Sequence, residues 1–155
     1  MPFNSNEKPA DFESTETDQL KKAITLAKEA HKGQVDKGGQ DYIKHPLRLM
    51  EQMPTEELKI IAVLHDVVED SHYTFEDLLK EGFSADTIDA LRALTKQENE
   101  PYEDFIQRVK KNTLAIKVKL ADLHDNSNLD RIPNPTEKDL KRIEKYKKAI
   151  KELSD

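Results

Sequence analysis

The stretch His65-Asp66-Val67-Val68-Glu69-Asp70 sets one imidazole and three carboxylates directly after the apolar run Ile60-Ile61-Ala62-Val63-Leu64. At about 100° per residue, a helix through this stretch brings His65, Asp66, Glu69 and Asp70 within roughly 140° of its circumference. Grouping such side chains beside an apolar core is costly unless a cation or tight hydrogen bonds compensate. The chemistry these residue types offer is binding of a cation, or else a tightly hydrogen-bonded cluster of ionisable groups. The plainer alternative is an exposed acidic helix end, with His65 satisfied by a neighbour.

A second group lies in Lys119-Leu120-Ala121-Asp122-Leu123-His124-Asp125-Asn126. Asp122 and Asn126 are four apart and share a helix face, and Lys119 precedes Asp122 by three. A lone Asp in such a helix is usually solvated. Asp122 sits within an apolar stripe, which makes it a candidate ligand, whereas His124 and Asp125 read as pointing elsewhere, to the surface or to an outer shell. A third element is the loop from His31 to Pro46, with Gly33, Gly38 and Gly39 and the residues Lys37, Tyr42 and His45. Its glycines let backbone approach a ligand closely, though a glycine pair alone is a weak signal. His45 stands ahead of a proline-initiated helix, as a ligand or as a helix-entry residue bonded to local backbone.

These residues need helices to carry them, and the pattern is helical almost throughout. Thr15 or Thr17 caps a first helix with Leu20, Ala23, Ile24, Ala27 and Ala30 on one stripe, stopped near Gly33. Pro46 opens a second helix over Leu47 to Met53. Pro54 and Thr55 start a third that runs to about Asp70. Thr74 with Asp77, and Ser84, cap two more, separated by Gly82. Pro101 begins a sixth, residues 113–126 form a seventh, and Thr136 with Asp139 starts the last. The alternating stretch Ile116–Leu120 has no partner strand, so it too reads as helix. The expected fold is an all-α bundle of about eight helices, with a flexible segment at 1–13 and one domain over 14–155.

The chain has 155 residues, 35% hydrophobic and 36% charged, which suits one compact domain with strongly solvated helix faces. It has no cysteine, which excludes disulfides, thiolate metal sites and cysteine nucleophiles. A metal would therefore be held by His, Asp, Glu or water, in the N/O chemistry of Mn, Mg, Fe or Zn. A net charge of −6 argues against a general nucleic-acid binder, and no apolar run is long enough to span a bilayer. With no signal peptide legible at Met1-Pro2-Phe3-Asn4, the expected location is the cytoplasm.

Taken in order, AHKGQ, YIKHP, HDVVED and KLADLHDN resemble the hydrolase domain of the RelA/SpoT alarmone enzymes and the stand-alone small alarmone hydrolases, over roughly residues 18–130. The resemblance implies an HD-type phosphohydrolase fold with a divalent metal, usually Mn²⁺, on His45, His65, Asp66 and Asp122. It implies that Glu69 and Asp70 serve the attacking water and that Asn126 helps hold a nucleotide. Lys37 and Lys119 are then candidates to offset phosphate charge, and Tyr42 belongs either to the pocket wall or to the core. The implied reaction is removal of the 3′-pyrophosphate of guanosine tetra- or pentaphosphate, by a chain expected to be a hydrolase alone. One departure stands out: the family commonly has Arg-Lys after the GQx segment, the arginine packing against guanine, and a proline where this chain has Asp41. Here the pair is Asp36-Lys37. An HD phosphohydrolase of another nucleotide or phosphoester, and a non-catalytic nucleotide-binding or antitoxin-like regulator, are the competing readings. Oligomeric state is open.

Overall fold

The computed structural model describes residues 17–155, which places the expected segment 1–13 and Thr15 outside the described residues. The fold is all-α. Among the described residues nine α-helices form: α1 (Asp18–Ala30), α2 (Lys44–Glu51), α3 (Glu56–Leu64), α4 (Val67–Asp70), α5 (Phe75–Lys80), α6 (Ala85–Ala93), α7 (Tyr102–Lys110), α8 (Thr113–Asn126) and α9 (Glu137–Ser154). A single 3-10 turn, Leu129–Arg131, joins α8 to α9.

Local signals set most of the starts. The hydroxyls of Thr17, Thr55, Thr74, Ser84 and Thr136 each accept the amide three residues on. At Thr74 and Thr136 the Asp at N3 bonds back, completing capping boxes with Asp77 and Asp139. Asn112 caps α8 the same way, through Ala115 N at 2.9 Å. Residues 116–120 are helical, as expected, within α8.

Two boundaries differ from expectation. The second helix begins at Lys44 rather than Leu47, so His45 lies in its first turn and not ahead of it. Pro46 is the third helical residue, where the missing N–H has no intrahelical acceptor to lose. The third expected helix is broken at His65-Asp66, giving α3 and the one-turn α4. Asp66 leaves helical geometry at φ −108° and ψ 3°, while its carbonyl still accepts Asp70 N at 3.0 Å. His65 to Asp70 thus span a bend and not one continuous helix.

All nine helices contribute to one apolar cluster, from Leu20 in α1 to Leu153 in α9. Two helices run through it. α3 packs on α1, α2, α6 and α8, and α8 packs on α2, α3, α6, α7 and α9. From Ile60 to Leu64 every residue of α3 is buried, so His65 is delivered to the interior by the helix before it. Between α1 and α2 the loop closes through a lone antiparallel bridge, Val35 to Asp41. Gly38 is required there because a Cβ would lie 2.4 Å from the Arg131 carbonyl oxygen. What approaches this glycine is thus the chain's own 3-10 turn.

Candidate metal centre

His65 and Asp122 meet where α3 ends against the middle of α8, and α2 adds His45 from the side. Donor atoms of His45, His65 and Asp122 all lie within 4.8 Å of one another, and all three residues are buried. His65 Nδ1 donates to the Ala62 carbonyl at 2.7 Å, which fixes the tautomer and aims the Nε2 lone pair inward. That Nε2 is 3.0 Å from Asp66 Oδ2 and 3.5 Å from Asp122 Oδ1. It nevertheless has no properly directed hydrogen bond among the described residues. A buried imidazole nitrogen facing two carboxylate oxygens without a bond is a donor set of the kind a divalent cation takes.

His45 Nε2 lies 2.8 Å from Asp122 Oδ1, and its Nδ1 lies 2.5 Å from Asp125 Oδ2. Asp122 Oδ1 also accepts Asn126 Nδ2 at 3.0 Å, and Oδ2 takes Lys119 Nζ at 2.9 Å. The Tyr42 hydroxyl donates to Asp66 Oδ2. The charges are strongly coupled. Burial opposes ionisation of Asp122, but Lys119 and the two imidazoles hold it well below the usual carboxylate range. Burial likewise pushes both imidazoles down, and the surrounding carboxylates more than offset this, raising His45 and raising His65 further.

Of the two readings of Asp125, surface or outer shell, the structure bears out the second, although the side chain lies on the Asp122 side of α8 and not away from it. Asp125 is three after Asp122, about 60° away around the helix, and hence on the same side. Its carboxylate holds His45 Nδ1 and receives Arg48 Nε at 3.0 Å and Nη2 at 2.9 Å. Arg131 Nη2 lies 3.2 Å from the same carboxylate. Carboxylate, histidine and centre form the arrangement that orients metal-ligating imidazoles. Asp125→Ala is therefore expected to weaken divalent-metal binding by about 10–100-fold without removing any residue of the cluster. Calorimetric titration checks this, and an unchanged affinity would show that Arg48 and packing suffice to hold His45.

Glu69 and Asp70 face a cavity of about 390 Å³ that also contacts Tyr42, Asp66, Lys119 and Asp122. Burial and then the Asp66 charge raise both carboxyls, Asp70 to about 6. Lys96 and Lys145 line the same space and were not singled out from the sequence. No local motif marks them, because they come from an inter-helix loop and from α9. Lys37 lies elsewhere. It is largely exposed, 3.9 Å from Asp139, and lines a neighbouring cavity of about 330 Å³ with Asp36, Arg131 and Arg142. Tyr42 and Asn126 border both cavities. His124 is exposed. Asp36, where the family pattern has arginine, accepts Gly38 N and Gln40 N at 2.9 Å each, so its carboxylate is committed to folding its own turn.

No protein-family profile matches the chain. Individual proteins do. The guanosine-3′,5′-bis(diphosphate) 3′-pyrophosphohydrolase of Haemophilus influenzae is 34% identical over 116 residues, covering 65% of this chain and 17% of that protein. The bifunctional (p)ppGpp synthase/hydrolase SpoT of Escherichia coli is 32% identical over 124 residues, 70% of this chain and 17% of its own length. The chain thus spans about one sixth of the length of these curated relatives. A solved structure of a metazoan ortholog of SpoT, reported to hydrolyse ppGpp, shares the fold with a TM-score of 0.73. Its identity is 21%, over 90% of this chain and 87% of that one. Fold and sequence likeness together support an all-α domain of the HD type. Its sequence likeness makes it, more particularly, a RelA/SpoT hydrolase-like domain.

Proposed function

We propose that this chain is a divalent-metal-dependent phosphohydrolase that removes the 3′-pyrophosphate from guanosine tetra- or pentaphosphate, with His45, His65, Asp66 and Asp122 as ligands for Mn²⁺. The observation that carries this reading is the buried, unbonded Nε2 of His65, facing Asp66 and Asp122, which line a cavity with further carboxylates and lysines on its walls. The relatives named for this reaction support the choice of substrate. When bound, a divalent cation supplies stabilisation of developing phosphoryl charge and makes water a better nucleophile at neutral pH.

The protein's own groups do the rest. Hydrolysis of the 3′ ester consumes one water and yields guanosine diphosphate and pyrophosphate from the tetraphosphate. Glu69, with Asp70, orients that water and accepts its proton, a role suited to carboxyls raised toward neutral pH. Lys96 and Lys145 face the same cavity and offset substrate charge. Lys119, already paired with Asp122, acts by holding that ligand ionised. Asn126 bonds Asp122 and borders both cavities, which supports a role for it at the join of phosphate and nucleoside. Lys37 meets the nucleoside end from the second cavity. The reading assigns the reaction to the cytoplasm, and no helix among the described residues is long and apolar enough to cross a membrane.

The test is pyrophosphate release from guanosine tetraphosphate with Mn²⁺, beside a panel of other phosphoesters. Metal-dependent turnover that chelator abolishes is the expected result. Release only from another phosphoester would overturn the substrate and keep the class. Nucleotide affinity without product from any compound would overturn the enzymatic reading in favour of a binding or antitoxin-like regulator.

A further inference from the structure

The segment His31-Lys32-Gly33-Gln34 has no part in the chemistry above, yet it is bonded to the element that carries Glu69 and Asp70. Gln34 Nε2 donates to the carbonyls of Ala30 at 3.2 Å and Asp70 at 3.0 Å. Its Oε1 pairs with His31 Nδ1 at 2.9 Å, so the imidazole donates there. Its backbone N donates to the His31 carbonyl at 3.0 Å, and its carbonyl accepts Tyr42 N at 2.8 Å. A single amide side chain thereby joins the end of α1 to the end of α4.

α4 needs such a tie. It is four residues long, too short to hold itself together in water, and the chain leaves it at Ser71 in an extended conformation. His31 is 1% exposed and cannot turn away, so it fixes which end of the Gln34 amide faces the two carbonyls. The tie reaches the Asp70 backbone, leaving both carboxylates free to face the cavity.

We infer that Gln34 is a positioning residue that sets where Glu69 and Asp70 stand relative to His45, His65, Asp66 and Asp122. The inference rests on the proposed roles of Glu69 and Asp70 for its kinetic consequence, and on the hydrogen bonds alone for its structural one. Gln34 touches neither the ligand set nor the cavity, so its loss displaces the proton acceptors and leaves the metal centre intact.

Gln34→Glu keeps the acceptor for His31 and loses the donor toward Asp70, while Gln34→Met loses both without adding charge. For each variant, kcat and KM on guanosine tetraphosphate, Mn²⁺ affinity by calorimetry, and backbone hydrogen exchange over residues 67–73 are measured against the wild-type chain. A small displacement of reacting groups is expected to lower kcat about ten-fold or more, with KM and Mn²⁺ affinity held. Exchange over 67–73 should rise while that of α3 and α8 does not. A folded variant with wild-type kcat, or one that loses Mn²⁺ affinity in step with kcat, would overturn the inference. Should the wild type itself turn over no nucleotide, the hydrolase reading fails separately. Hydrogen exchange then decides the tie, and unchanged exchange over 67–73 overturns it.

Discussion

Asp122→Ala is expected to abolish turnover and to weaken Mn²⁺ binding by more than about 100-fold, beyond what loss of an orienting neighbour costs. Asp122 Oδ1 is the carboxylate oxygen shared between the two imidazoles, at 2.8 Å from His45 Nε2 and 3.5 Å from His65 Nε2. Its other oxygen neutralises Lys119, whose side chain is only 12% exposed. Removing one partner of a buried ion pair costs about 3–5 kcal/mol, because the charge left behind has neither water nor a counter-ion. The alanine variant should therefore also melt earlier. Asp122→Asn separates the two effects. It keeps an oxygen for Lys119 to bond and the shape of the site, so stability should fall less, while the neutral amide remains a poor ligand. Thermal melts and calorimetric Mn²⁺ titration of both variants check this. Mn²⁺ binding undiminished in Asp122→Asn would remove Asp122 from the ligand set and leave His45, His65 and Asp66 to hold the metal.

The centre was legible in the sequence because its residues violate their surroundings. An Asp within the apolar stripe of α8, and a His-Asp pair ending the apolar run of α3, are expensive unless something charged lies opposite. Helix starts were legible for a different reason: a threonine or serine hydroxyl finds its amide three residues on, whatever the tertiary fold. What escaped depends on contacts between distant segments. The break at His65-Asp66 follows the departure of Asp66 from helical dihedrals, while the His65 ring bonds the Ala62 carbonyl, and no residue there is a helix breaker. Pro46 suggested a helix start and instead occupies the third position, which hid His45 within a turn. Asp125 was assigned a direction away from Asp122 although a three-residue spacing keeps the two together, and Arg48 and Arg131 converge on it from other elements. Asp36 read as a hole in substrate recognition. Its carboxylate is an acceptor for two amides of its own loop, so an arginine there would sacrifice the turn to gain a cation. The second cavity already holds Arg131 and Arg142. Lys119 was seen three residues before Asp122, and that spacing gives its partner directly.

Glu69→Gln should keep Mn²⁺ affinity and lower kcat by about 100-fold or more, the usual effect of removing a positioned proton acceptor. The amide preserves size and can still orient water, so the loss isolates proton transfer. Asp70 supplies the pH signature. Its carboxyl is raised from 3.8 to about 6, by burial first and then by the charges of Asp66 and Glu69. An acid so shifted holds its proton below that value and accepts one only above it. The wild-type rate should thus rise with pH through this range, and Asp70→Asn should flatten the limb. A bound cation draws the carboxyl back toward its ordinary value, so with metal present the limb lies at or below about pH 6. The same shift carries a sign for stability. A pKa raised by folding means that the folded protein is favoured while Asp70 is protonated, and loses that advantage as pH climbs from its unfolded value through about 6. In chelator, Asp70→Asn should consequently match the wild-type melting temperature near pH 4 and exceed it at pH 7. Melts at the two pH values and a pH–rate profile for each variant give the answer. Mn²⁺ lost equally in Glu69→Gln and Asp66→Ala would make Glu69 a ligand, and a limb that persists in Asp70→Asn would pass the titrating role to Glu69.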